Sequence, residues 1–106
     1  MATIISISDI ANYVGQEVTI RGWVYDRTDK GKLRFIMLRD GTGVVQGVAY
    51  APELPEAVFE NASKVTQESS VIVTGTVRAN QRAKKNIPAG YELGISDIEI
   101  IQLTED

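Results

Sequence analysis

In LRFIMLRDGTGVVQ, residues 33–46, Leu33, Phe35 and Met37 alternate with Arg34, Ile36 and Leu38. Asp40-Gly41-Thr42-Gly43 then supplies turn chemistry before Val44 and Val45 resume an apolar run. This pattern predicts a β-hairpin whose second strand reaches about Ala51. Upstream, Glu17 to Asp26 sets Val18, Ile20, Gly22 and Val24 against Thr19, Arg21, Trp23 and Tyr25, the period of a half-buried strand. Gly22 within it suggests a bend or bulge that lets one long strand serve two halves of a small barrel. Asp26 to Lys32 reads as a polar loop. Before these, Ser8 to Gly15 reads as a short helix capped by the Ser8 side chain and stopped by Gly15. Pro52 ends the third strand, and Glu56 to Val65 predicts a helix burying Val58, Ala62 and Val65. Ser70 to Arg78 is a β-branched strand with Gly75 inside it, residues 78–90 a long loop, and Tyr91 to Leu103 a last strand irregular near Ser96 and Asp97.

Five strands with a helix between the third and fourth, and a short helix in front, is the order of an all-β, five-stranded OB-fold, a Greek-key barrel. The whole chain, residues 1–106, reads as one domain. In that barrel the second and third strands form the binding face, flanked by the loop between strands one and two and the loop between four and five.

Charge changes the picture. The net charge is −3, which in bulk disfavours nucleic acid. Residues 21–40, however, hold six basic against three acidic residues, and residues 78–90 hold four basic and no acidic residues. These blocks fall on the two flanking loops, so a surface that tracks phosphates becomes the favoured reading. Arg27, Lys30 and Lys32 in the first loop, with Arg78, Arg82, Lys84 and Lys85 in the second, are the backbone-binding candidates. Any one of them alone is an ordinary solvated charge, and the cluster carries the argument.

Chemistry is restricted by composition. With no Cys and no His, thiolate metal sites, cysteine nucleophiles and the commonest general base are excluded. There is no glycine-rich phosphate loop and no nucleophile elbow, so no catalytic residue and no metal ligand is predicted. The first ten residues lack a signal peptide's basic start, and no apolar run reaches the ~18 residues of a membrane span, so a soluble cytoplasmic protein is expected.

What remains is recognition. The pleat that buries Ile36 and Leu38 turns Phe35 and Met37 to the opposite face, where a phenyl ring can stack on an unpaired base. Gln46, on the neighbouring strand, can read a base edge with one donor group and one acceptor. Pattern alone does not separate this from a core aromatic at Phe35 and an exposed strand amide at Gln46. Trp23 and Tyr25 would extend the aromatic surface, or Trp23 would fill the core.

RGWVYDRTDKGKLRFIMLRDGTGVVQGV, with QESSVIVTGTVR and GYELGISDIEII later in the chain, resembles the N-terminal anticodon-binding domain of the asparaginyl and aspartyl class II tRNA synthetases. The wording of the second half is closer to the asparaginyl branch. The resemblance implies that Phe35 stacks on the middle anticodon uridine, that Gln46 contacts the same base, that Glu92 bonds it from the other side, and that Arg27 lies near the anticodon. It implies a structural strand-end pair of Arg39 and Asp40. Thr28 stands where many aspartyl enzymes carry arginine, and the loop around Lys84 to Pro88 is longer than the short bacterial asparaginyl form. The partner implied is a tRNA anticodon loop. The class II catalytic domain, with its ATP and magnesium, is absent from the sequence, so the chain is expected to be no enzyme alone, needing no cofactor, and to partner a parent catalytic domain if joined to one. The alternatives are an aspartyl-tRNA synthetase domain, a stand-alone single-strand binder, or a protein-interaction module, natural or engineered.

Overall fold

The computed structural model describes residues 2–84 and 86–103. Among these residues there are six strands: β1 (Thr3–Ile4), β2 (Glu17–Lys30), β3 (Leu33–Arg39), β4 (Val44–Tyr50), β5 (Ser70–Ala79) and β6 (Tyr91–Gln102). A 3₁₀ helix, Ile7–Tyr13, precedes β2; a short 3₁₀ turn, Ala51–Glu53, and helix α1, Glu56–Lys64, join β4 to β5. The sheet runs β1-β2-β3-β4-β6-β5, and β2 also pairs with β5, which closes β2 to β6 into a five-stranded barrel. This is the OB-fold expected from the element order, with the two-residue β1 added parallel to β2 through Thr3↔Val18 and Ile4↔Thr19.

Closure depends on β2 serving two neighbours. Residues Glu17 to Trp23 pair with β5, while Trp23 to Lys30 pair with β3, so the strand changes partners at Gly22 and Trp23. A register shift between Val24 and Asp26 adds the twist that turns the sheet on itself. The expected irregularity of the last strand is a shift between Thr74 and Gly75 that leaves Ser96 unpaired. Inside the barrel Val18, Ile20, Val24, Ile36, Leu38, Val45, Val73, Val77, Leu93 and Ile98 are buried. Ala62 on α1 and Val65 just past its end are buried against the barrel core, with Val58 half-buried on the same helix.

Three local expectations are corrected. The segment Asp26 to Lys30 is strand, laddered from Asp26↔Met37 to Lys30↔Leu33, and only Gly31 and Lys32 make the turn. The segment is polar because it is the exposed end of a hairpin, where cross-strand pairs hold what composition does not. The 3₁₀ helix starts at Ile7 after Ser6 rather than being capped by Ser8. The Ile7 N–H donates to Asp40 Oδ2 at 2.9 Å, and the Ser8 N–H to Thr42 Oγ1 at 3.1 Å. Asp40 therefore does not pair with Arg39, whose guanidinium bonds the Glu68 carboxylate instead.

Asp40 fastens the helix to the hairpin turn, since its Oδ1 also accepts the Thr42 N–H at 2.8 Å and the Thr42 hydroxyl at 2.6 Å. Burial works to raise its pKa, but the Thr42 hydroxyl and the amides of Ile7, Thr42 and Gly43 outweigh that and hold it below the ordinary 3.8. A depressed folded value stabilises the fold fully at neutral pH, and the contribution disappears as pH falls from about 3.8 through the lowered value. Asp40→Ala is expected to lower stability at pH 7 by about 2 kcal/mol. Asp40→Asn should flatten the acid limb of a stability-against-pH curve, and an unchanged acid limb would contradict this role.

Candidate nucleic-acid interface

The outer faces of β2, β3, β4, β6 and β5 align in rows. One row reads Thr28, Phe35, Val48, Gly94, Thr76, and the next reads Asp26, Met37, Gln46, Glu92, Arg78. Phe35 and Gln46 are thus diagonal neighbours on one face, and Glu92 stands directly beside Gln46 across the parallel β4–β6 pair. Ile36 and Leu38 are buried as the alternation requires, leaving Phe35, Met37, Gln46 and Val48 half-exposed. Phe35 is therefore an outer-face aromatic rather than a core one.

Glu92 is held before any ligand arrives. Arg78 Nη2 lies 2.9 Å from its Oε2, and the Asn80 side-chain amide donates to Oε1. The Glu92 side chain is 13% exposed and that of Arg78 50%, so the carboxylate is fixed at the floor while the guanidinium reaches the surface. Each carboxylate oxygen keeps a lone pair free for a further donor. Asn80 carries no motif signal; its position just past β5, opposite the start of β6, is what brings it to Glu92.

The two basic segments bracket this face from opposite ends. Lys30 and Lys32 are exposed beside the Gly31 turn, which meets the far end of β4 through the Ala51 N–H to Lys32 carbonyl bond of 2.9 Å. The 80–90 loop meets the near end, where Val44 and Ile87 exchange backbone hydrogen bonds of 2.8 and 2.9 Å. Arg82 and Lys84 are exposed on that loop; Lys85 lies outside the described residues.

Other candidates are committed elsewhere. Arg27 points to the C-terminal end of α1, its Nη1 donating to the Ser63 and Val65 carbonyls at 2.6 and 2.9 Å and its Nε pairing with Asp29 at 3.1 Å. Those carbonyls are the unpartnered acceptors that end any helix, so they draw a cation. Arg34 lies 4.6 Å over the Phe59 ring. Trp23 is 44% exposed rather than core, with Arg39 5.9 Å over its ring, and it sits at the opposite end of β3 from Phe35. Tyr25, in the β2 bulge, is 51% exposed. Arg27→Ala is expected to destabilise the fold by about 1–2 kcal/mol through lost bonds to α1, measurable by urea unfolding.

Among the described residues no group of three or more His, Cys, Asp or Glu could hold a metal ion, and no helix is long and apolar enough to cross a membrane.

The chain is similar to known proteins in both sequence and fold. Over 96 residues the chain is 51% identical to the asparagine–tRNA ligase of Chloroflexus aurantiacus, covering 91% of this chain and 21% of that protein. Against the asparagine–tRNA ligase of Symbiobacterium thermophilum it is 44% identical over 102 residues, covering 96% and 22%. The chain thus spans about a fifth of the length of the curated relatives it matches. The crystal structure of asparaginyl-tRNA synthetase from Pyrococcus horikoshii complexed with asparaginyl-adenylate superposes with a TM-score of 0.86 at 37% identity, covering 99% of this chain and 24% of that one. The tRNA anticodon model of the OB-fold nucleic acid binding domain matches residues 18–101, and the chain belongs to that family.

Proposed function

We propose that this domain serves an asparagine-tRNA ligase by reading the middle base of the anticodon, a uridine. The observation that carries the reading is the outer-face constellation, with Phe35 and Gln46 diagonal and Glu92 beside Gln46. Phe35 stacks on the base, the Gln46 amide meets its edge with a donor and an acceptor, and Glu92 accepts a hydrogen bond from the other side. Lys30, Lys32, Arg78, Arg82, Lys84 and Lys85 supply positive charge for the phosphates, and Arg27 acts on the loop only through the hairpin it anchors. Joining asparagine to tRNA, with ATP and magnesium, belongs to the other four-fifths of such a cytoplasmic ligase.

Asparagine and aspartate anticodons share the middle base and differ at the third. Titrating the chain with two anticodon stem-loops differing only at that third base is expected to favour the asparagine form. Binding should fall steeply between about 50 and about 200 mM salt. Equal affinity for an unrelated oligonucleotide would overturn the reading in favour of an unspecific single-strand binder.

A further inference from the structure

An ionised Glu92 offers a base only acceptors, so which base it favours depends on where its carboxylate points. Two donors set that direction: Arg78 Nη2, 2.9 Å from Oε2, and the Asn80 side-chain amide, which donates to Oε1. They are not equivalent anchors. The Arg78 side chain is 50% exposed, so water and a nucleic-acid phosphate compete for its guanidinium, and an ion pair of that kind holds weakly. Asn80 is half-buried and fixed through both main chain and side chain. Its N–H donates to the Gly90 carbonyl at 2.8 Å, its carbonyl accepts the Ala83 N–H at 3.0 Å, and its Oδ1 accepts the Arg82 N–H at 3.0 Å. The last bond decides which way the amide faces. Turned over, it would set its oxygen against the Glu92 carboxylate and its NH₂ group against the Arg82 N–H.

From this network we infer that Asn80 is a positioning residue for base selectivity, tying the aim of Glu92 to the fold of the 80–90 segment. The inference rests on the proposed function and deepens it. On its Watson–Crick edge uridine presents an N3–H donor, and cytidine presents a bare N3 acceptor. A carboxylate held still accepts from the first and repels the second. A carboxylate free to turn about its side-chain torsions keeps part of the first contact and escapes the second, so loosening Glu92 costs more selectivity than affinity. The main chain of Asn80 carries the β5–β6 ladder one step beyond Ala79↔Tyr91, and the Gly90 N–H closes the segment on the Ala83 carbonyl at 3.0 Å. The Asn80 side chain caps the turn that bears Arg82, in the manner of an Asx turn. One amide thus serves the basic segment with its oxygen and the reading carboxylate with its nitrogen.

Asn80→Asp is the isosteric probe: it keeps an oxygen for the Arg82 N–H and replaces the amide donor with a second acceptor facing Glu92. Wild type, Asn80→Asp and Asn80→Ala are titrated by fluorescence anisotropy with two anticodon stem-loops that differ only by uridine or cytidine at the middle position. The fold of the 80–90 segment is read separately, from hydrogen exchange at the Ala83 and Gly90 amides, both of them hydrogen-bonded. In both variants the preference for uridine should fall from about tenfold to about threefold or less. Asn80→Asp should keep the two amides as protected as in wild type. A wild-type preference retained by either variant overturns the positioning role. So does a preference lost in Asn80→Asp together with protection of the two amides, which assigns Asn80 to the segment's fold alone. Wild type that binds the two stem-loops equally overturns the base reading itself, whatever the variants do.

Discussion

Gly22→Ala is expected to lower the unfolding free energy by about 3 kcal/mol, the upper range for forcing an added methyl group into a packed site. A Cβ at Gly22 would lie 2.3 Å from the Arg39 carbonyl oxygen and 3.1 Å from its carbon, and both are backbone atoms that no rotamer change can move. At this residue β2 passes from β5 to β3, Gly22 pairing with Val71 and Trp23 with both Ser70 and Arg39. Relieving the clash means separating two ladders that close the barrel. By contrast, a Cβ at Gly41 meets nothing within 4 Å, and its substitution is opposed only by a φ of +90°, so Gly41→Ala should lose about 1 kcal/mol. Urea denaturation of the two variants should show the larger midpoint shift for Gly22, with slopes unchanged. An equal or reversed order would contradict this account of closure.

Phe35→Ala is expected to weaken binding of an anticodon stem-loop by about 1–3 kcal/mol while leaving the melting temperature close to wild type. The separation follows from placement: Phe35 is half-exposed on the outer row, while its neighbours Ile36 and Leu38 are each 1% exposed in the core. Ile36→Ala should therefore unfold the chain more readily, and Phe35→Ala should chiefly reduce affinity. A Phe35→Ala chain that binds as tightly as wild type would remove stacking from the account.

Much of this was legible in the sequence because alternation decides which face of a strand is buried. The same alternation that buries Ile36 and Leu38 turns Phe35 and Gln46 outward, and Gly22 marks the bend where β2 changes partners. Periodicity failed where tertiary pairing overrides composition. The segment Asp26 to Lys30 looks like a loop and is strand, because its partners on β3 supply the hydrogen bonds. Arg27 counts as a basic loop residue until α1 is folded beneath it and presents the Ser63 and Val65 carbonyls. The cap of the first helix was invisible for a similar reason: Asp40 is 33 residues from Ile7, and local capping rules look only a few positions along the chain. Asn80 reaches Glu92 because β6 returns antiparallel along β5, a pairing that no linear pattern records.

The most direct measurement titrates the wild-type chain, at one salt concentration, with two anticodon stem-loops identical except for uridine or cytidine at the middle position. In the proposed reading, stacking on Phe35 is indifferent to that change, whereas the hydrogen bonds of Gln46 and Glu92 are not. The account predicts about tenfold or greater preference for uridine, and lost preference in Gln46→Ala. Equal affinity of wild type for the two loops would contradict the claim that this face reads the base.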